Sequence, residues 1–338
     1  MQAYSLQQAE NLRAHLALSR SLYQVQADGM GGQHWQPLAE QAPEPFAGNT
    51  APPTFSAKGF FFAEREMLFR FRGGSFYSSL PQIKPQVLFG VQACDLQAIA
   101  YQDQFFAADA HYQARRRATL LVGIDCAQSC AGGFCTLLNS GPQVQRQCAD
   151  LILLAPQGER REWLVLVASP AGAEALQGLQ LQPADLDWQA ERDASSQRVA
   201  MQQGPQQVLR DGIAAIQGGS VSAQSWDELG LRCLGCSGCS TVCPTCSCFA
   251  PLETAAGQHA IAHERVWDSC LYQGFQREAA GHNPTAEAGQ RVQRFWLHKF
   301  AQDTQQRFGQ FGCVGCGRCD QVCPGAIGIH GVMSKVGL

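Results

Sequence analysis

The sequence predicts an α+β chain: an N-terminal α/β domain over residues 1–225, then a mainly α-helical, cysteine-rich domain over 226–338. Three observations predict it. Aliphatic runs alternate with helical text across 86–185, as in α/β structure. A polar stretch containing MQQGPQQ and GGSVSAQS reads as a linker near 200–225. Beyond it lie eleven of the sixteen cysteines, all between 233 and 323.

The elements follow in order. Residues 1–85 open with an amphipathic helix that has Leu12 and Leu16 on one face, then pass through Gly- and Pro-rich text (DGMGGQHW, EQAPEPFAGNTAPPTF). The aromatic run Phe60 to Phe62 comes next, and the alternation in MLFRFRGGSF reads as a hairpin. VLFGV (87–91) is a strand, Asp95 to Phe106 a helix, TLLVGI (119–124) a strand, and LILL (151–154) and WLVLV (163–167) two more. Ser169 and Pro170 start a further helix, as N-cap and first helical residue. In the cysteine-rich part, Thr285 caps a helix whose Val292, Phe295, Trp296 and Phe300 share a face.

Composition excludes several classes. With 45% hydrophobic and 16% charged residues in 338, the chain has material for a real core and is not a disordered protein. A net charge of −3 gives no basic field, so no nucleic-acid partner is expected. The start MQAYSLQQAENLRAHL lacks the basic and apolar regions of a secretory leader, and runs such as LLVGI and LILLA fall far short of the ~20 residues of a membrane span. Sixteen cysteines in such a chain are expected as metal-binding thiolates in a reducing compartment, and the expected location is cytoplasmic.

One motif occurs twice. Cys233, Cys236, Cys239 and Cys243 followed by Pro244, and Cys313, Cys316, Cys319 and Cys323 followed by Pro324, both read C-x2-C-x2-C-x3-C-P. This is the signature of two-cluster ferredoxins, in which the fourth cysteine of each run ligates the other cluster. Three thiolates spaced by two residues wrap one face of a cubane, and the proline turns the fourth away. Cys233, Cys236, Cys239 and Cys323 are therefore assigned to one [4Fe-4S] cluster, and Cys313, Cys316, Cys319 and Cys243 to a second. Structural zinc, which closes at four ligands from two C-x2-C pairs, fits these runs poorly. The 69 residues between Cys243 and Cys313 look helical in large part. The second domain is thus expected to be a mainly α-helical dicluster [4Fe-4S] ferredoxin domain that depends on its clusters for folding.

The other cysteines divide into groups. Cys94 and Cys126 each follow closely on a strand, after VLFGV and TLLVGI, with Asp95 placed to cap the helix beyond the first. If the strands are parallel neighbours, both thiols emerge at the carboxyl edge of one sheet. Cys130 and Cys135 lie in the loop just beyond, so the four either converge on a third cluster or pack as small hydrophobes. Cys246, Cys248 and Cys270 line a cluster, help hold a further one, or pack around the clusters; Cys148 is structural. No G-x-G-x-x-G follows a strand, and no P-loop or H-E-x-x-H is present. Lys299 reads either as a cluster neighbour or as a solvated helix lysine, while Arg318, inside the second run, is placed beside a cluster. Without a flavin or nicotinamide signature the chain needs partners to exchange electrons in pairs, and no general acid, base or nucleophile is read from it.

Across FFFAERE (60–66), GVQACDLQAI (90–99), GIDCAQSCAGGFCTLLNSGP (123–142), CPTCSC (243–248), WDSC (267–270), GHNP (281–284), HKF (298–300) and CVGCGRCDQVCP (313–324), the chain resembles a family over nearly its whole length. That family is the iron–sulfur β subunit of cytoplasmic NiFe hydrogenases of the sulfhydrogenase type, together with its relative, the electron-transfer iron–sulfur component of anaerobic sulfite reductase. One departure is Gly133-Phe134-Cys135, where the family loop ends C-F-C, together with the additional Cys130; this shifts the ligand set of a third site. The resemblance implies an electron-transfer subunit that relays single electrons between a reductase subunit binding flavin and NAD(P) and a catalytic subunit. The catalytic partner is then a hydrogenase or, as the alternative, a sulfite reductase. A stand-alone Fe–S redox sensor is a third reading, disfavoured by the lack of a basic stripe.

Overall fold

The computed structural model describes residues 1–38, 46, 48, 52–257 and 259–337. The Pro-rich text at 40–55 lies largely outside them. Ten described strands come from the first 183 residues: β1 (Ala3–Leu6), β2 (Ser21–Ala27), β3 (Gln33–Pro37), β4 (Arg65–Arg72), β5 (Ser75–Ser78), β6 (Gln86–Gln92), β7 (Thr119–Ile124), β8 (Leu151–Leu154), β9 (Trp163–Val167) and β10 (Gln182–Pro183). Two more, β11 (Phe249–Ala255) and β12 (Ala260–Trp267), come from the cysteine-rich part.

The aliphatic runs form the centre of an eight-stranded sheet in the order β10-β1-β9-β8-β7-β6-β2-β3. Strands β2, β6, β7 and β8 are parallel, and the flanking strands are antiparallel. Strands β6, β7 and β8 are buried at every residue, which is why they read as unbroken apolar runs rather than as alternation. One face packs Leu88, Leu121 and Ile152 against Phe61, Phe62 and the Leu96 and Ile99 of helix Ala93–Phe105. The other packs Val87, Leu120 and Leu151 against Leu12 and Leu16 of helix Ala9–Ala17, so that amphipathic helix forms as its spacing predicts, although a strand, β1, precedes it.

The predicted hairpin is β4–β5, closed by Gly73 and Gly74 at φ of 57° and 80°. Both turn residues must be left-handed for a two-residue connection to match the strand twist, and glycine adopts that conformation without penalty. This hairpin belongs to a second, antiparallel sheet in the order β11-β12-β4-β5, so strands from both parts of the chain pair with each other. A buried network fixes the junction. Glu66 of β4 accepts from Arg265 of β12 at 2.7 Å and from Arg115 at 2.8 Å, and Arg265 also pairs with Asp109.

Several expectations are corrected. The insert between the two cysteine runs is not simply helical: β11 and β12 occupy it, because Phe249, Ala262 and Trp267 pack with β4 and the aromatic run rather than on a helix face. The polar text near 200–225 is not a linker but largely helix. Helices Trp188–Gln203, Gln207–Gln217 and Ala223–Arg232 cover it, since Leu209, Ile213 and Ile216 repeat at helical spacing and are buried. Thr285 does not cap helix Ala288–Phe300; Glu287 does, in a capping box with Gln290, while the predicted face of Val292, Phe295, Trp296 and Phe300 is buried. Asp95 is not the cap of helix Ala93–Phe105 either, because Gln92 takes that position and Asp95 lies in the first turn. Ser169 caps its helix as predicted, accepting from the Gly172 amide at 3.0 Å ahead of Pro170. Among the described residues no helix is long and apolar enough to cross a membrane.

Candidate metal centres

The two cysteine runs fold alike. Gly235 and Gly315 occupy the same place in each with φ of 63° and 64°, and Ser237 and Gly317 follow with φ of 60° and 72°. These left-handed turns curl the first three cysteines of each run around one side. A one-turn helix then carries the chain to the fourth, Gly238–Val242 to Cys243 and Arg318–Val322 to Cys323. The fourth cysteines lie where the two runs meet, and Cys243 also neighbours Cys239 of its own run. Cys323 shares one pocket with Cys233, Cys236 and Cys239, and Cys243 is a charge neighbour of both Cys313 and Cys316. Cys319 neighbours Cys313 and Cys316.

Burial pushes the Cys239 thiol up to about 12, reinforced by Cys243, Cys323, Cys233 and Cys236, and burial likewise pushes Cys313 up to about 12. Ionising thiols raised in this way calls for a nearby positive charge, which a metal group supplies. Backbone amides already point at sulfur: Gly315 donates to Cys313 at 3.5 Å and Ile327 to Cys323 at 3.4 Å. Among the described residues no three Cys, His, Asp or Glu side chains are spaced to hold one metal ion. The all-sulfur donor set, in two groups of four, is the chemistry of iron–sulfur clusters, and the residues fit that group.

The second run docks on the N-terminal part. The Phe134 amide donates to the Gly315 carbonyl at 2.8 Å, and the Ser140 hydroxyl to the Val314 carbonyl at 2.8 Å. A side chain at Gly315 would come within 2.8 Å of the Cys135 amide nitrogen. Because β6 and β7 are parallel neighbours ending at Gln92 and Ile124, Cys94 and Cys126 do emerge at one sheet edge. There Cys126 neighbours Cys130 and Cys135, Cys130 neighbours Cys135 and Cys316, and Cys94 neighbours Cys316 and Cys126. Burial raises all four thiols, Cys130 to about 11. Arg318 is buried between this group and the second run. Its guanidinium grips both carboxylate oxygens of Asp95, at 2.6 and 2.8 Å, and donates to the Pro53 carbonyl at 2.8 Å.

Cys246, Cys248 and Cys270 lie beyond Cys243. A hydrogen bond from Cys270 holds the Cys248 thiol at about 6, and one from Cys246 holds Cys243 low as well. Lys299 is not solvated: it is buried, and its Nζ lies 3.4 Å from Cys243 Sγ, 3.3 Å from Cys246 Sγ and 2.9 Å from Thr245 Oγ1. The helix packs with this lysine on its inner side, next to Phe295 and Phe300. Cys148 stands apart from these groups, buried with its thiol 3.4 Å from Gln97 Oε1.

Two site residues escape the sequence reading. Lys58 is buried beneath the Trp267 ring at 4.2 Å and donates to the Ser240 carbonyl at 3.2 Å, facing Cys246 and Cys243. Its signal is a lone lysine ahead of the apolar GFFF run. Asp95, read only as a cap, is the counter-ion of Arg318.

Residues 232–327 match the family model described as a 4Fe-4S dicluster domain, so the C-terminal part contains such a domain. The chain is similar to the sulfhydrogenase 2 subunit beta of Pyrococcus furiosus, 28% identical over 288 residues that cover 82% of each chain. No solved structure matches.

Proposed function

We propose that this chain, similar to the iron–sulfur β subunit of sulfhydrogenases and carrying a 4Fe-4S dicluster domain, is the electron-transfer subunit of a cytoplasmic NiFe hydrogenase complex. It works between a reductase subunit that binds flavin and NAD(P) and the catalytic subunit. The observation that carries this reading is the meeting of the two cysteine runs, with Cys323 beside Cys233, Cys236 and Cys239, and Cys243 beside Cys313 and Cys316 as well as Cys239. The relative's name favours a hydrogenase over a sulfite reductase as the catalytic partner.

The clusters would supply one-electron redox chemistry, two on the ferredoxin runs and a third on Cys94, Cys126, Cys130 and Cys135. The chain's own residues set the conditions for it. The left-handed turn at Gly315 brings its amide toward the Cys313 sulfur, and burial shields Cys239, Cys313, Cys316 and Cys319 from water, whereas Cys236 is exposed. The Asp95–Arg318 pair joins the second run to the N-terminal thiols, and the neighbouring of Cys94 and Cys316 supports a third group beside the second run. Residues 1–225 then supply the third group and partner contacts, and residues 226–338 supply the dicluster core.

The test is iron and acid-labile sulfide per chain in anaerobically purified protein, with EPR of the reduced sample and identification of co-eluting subunits. Bound iron with coupled S = 1/2 signals, and co-elution with a flavoprotein and a NiFe subunit, are expected. Zinc in place of iron would overturn the reading, and co-elution with a sirohaem subunit would replace the hydrogenase assignment.

A further inference from the structure

A cavity of about 520 Å³ opens between helices Ala93–Phe105 and Ala288–Phe300, and Cys246, Cys248 and Cys270 stand in its wall. Neither ferredoxin ligand set uses these three thiols. Two buried ammonium groups face them. Lys299 reaches Cys246 Sγ at 3.3 Å from helix Ala288–Phe300, and Lys58 approaches from the far side, held by Trp267 and the Ser240 carbonyl. Neither lysine pairs with a carboxylate among the described residues. A buried cation is strongly disfavoured without a counter-charge, so two of them in one place mark a site of concentrated negative charge. Cys243 contributes to that charge but already belongs to the second ferredoxin set. The cavity lining adds Arg294 and Arg307 to Lys299, against one carboxylate, Asp303.

We infer that Cys246, Cys248 and Cys270 hold a further iron–sulfur group, with Lys58 and Lys299 as its buried counter-charges. Its one iron without a protein thiolate opens on the cationic cavity and binds a small soft anion such as cyanide or hydrosulfide. The coordination argument is simple. An ordinary [4Fe-4S] cluster takes four cysteines, and three leave one iron available to an exogenous ligand. Cys243, placed next to Cys246, sets this group beside the second ferredoxin cluster. The inference rests on the reading of the chain as an iron–sulfur protein.

The experiment compares anaerobically purified full-length wild type with Cys270→Ala and with Lys58→Met, by iron analysis, EPR-monitored redox titration and potassium cyanide as the probe ligand. Cys270→Ala should lose about three to four iron per chain while the coupled ferredoxin signals persist. Cyanide should shift one EPR signal of the wild type and none of the Cys270→Ala protein. Lys58→Met leaves every thiol in place, and it should keep its iron while the potential of the cyanide-sensitive signal falls, because a cation that stabilises the more negative reduced state is gone. Wild type with iron, but with a Cys270→Ala variant of equal iron content and no cyanide-sensitive signal, overturns the inference alone. Zinc bound at these three thiols overturns it also. A wild type without iron overturns the electron-transfer reading itself, which is a separate result.

Discussion

The Asp95–Arg318 pair joins the second cysteine run to the sheet edge, and its removal has a calculable effect. Both side chains are 2% exposed or less, and the two contacts of 2.6 and 2.8 Å form a bidentate fork. Asp95→Asn keeps the shape and one acceptor but leaves a buried guanidinium with only the Pro53 carbonyl and an amide oxygen. Breaking a buried pair by removing one partner costs about 3–5 kcal/mol. The remaining acceptors favour the lower end, about 3 kcal/mol. At roughly 2 °C per kcal/mol for a chain of this size, the melting temperature falls by ~6 °C. Anaerobic thermal denaturation of the iron-loaded protein, followed by bleaching of the visible cluster absorption and by far-UV circular dichroism, measures it. Asp95→Leu with Arg318→Met removes both charges and should recover most of the loss, since apolar replacement of a whole buried pair is often neutral. An Asp95→Asn protein that melts within about 1 °C of wild type would refute the reasoning, and so would a double variant less stable than the single.

Three further outcomes follow from the same geometry. Cys323→Ala combined with Cys236→Ala should lose no more iron than either alone, whereas Cys323→Ala with Cys316→Ala should lose about eight, because the proposed crossed ligation puts the first pair on one cluster and the second on two. Gly315→Ala combines a left-handed backbone at φ 64° with a contact 2.8 Å from the Cys135 amide, so it should cost at least ~1–2 kcal/mol and lower the iron content, read by denaturation and iron analysis. Burial works against ionised Asp109, but the Arg265 guanidinium and the Tyr112 amide hold its carboxyl below the usual range. A depressed folded pKa gives stability that is present above the unfolded value of about 3.9 and lost as pH falls through the folded one. Asp109→Asn should therefore flatten the acid limb of the stability profile below about pH 4, measured by denaturant titration at stepped pH.

Sequence spacing made the dicluster runs legible because their chemistry is local: four thiols, two left-handed turns and a proline lie within twelve residues. The parallel strands were equally legible, since β6, β7 and β8 are buried on both faces and show it as unbroken aliphatic text. What stayed hidden is non-local. Lys58 lies 182 residues from the Ser240 carbonyl that it meets, and Asp95 lies 223 from Arg318. A lone lysine and an aspartate at a helix start give no periodic sign of such partners. Helix Gln207–Gln217 was hidden for another reason: its polar residues masked the buried Leu209, Ile213 and Ile216.

The antiparallel sheet shared by β4, β5, β11 and β12 bears on how the chain can be cut and how it matures. A fragment beginning at residue 226 would keep β12 but strip away β4, leaving an unpaired strand edge open to self-association. It would also strand Arg265 without Glu66 and Asp109. The dicluster region is therefore not a transplantable cassette. On the ribosome, the sheet cannot close until residue 267 has emerged, and the two cysteine runs cannot meet in full until residue 323 has.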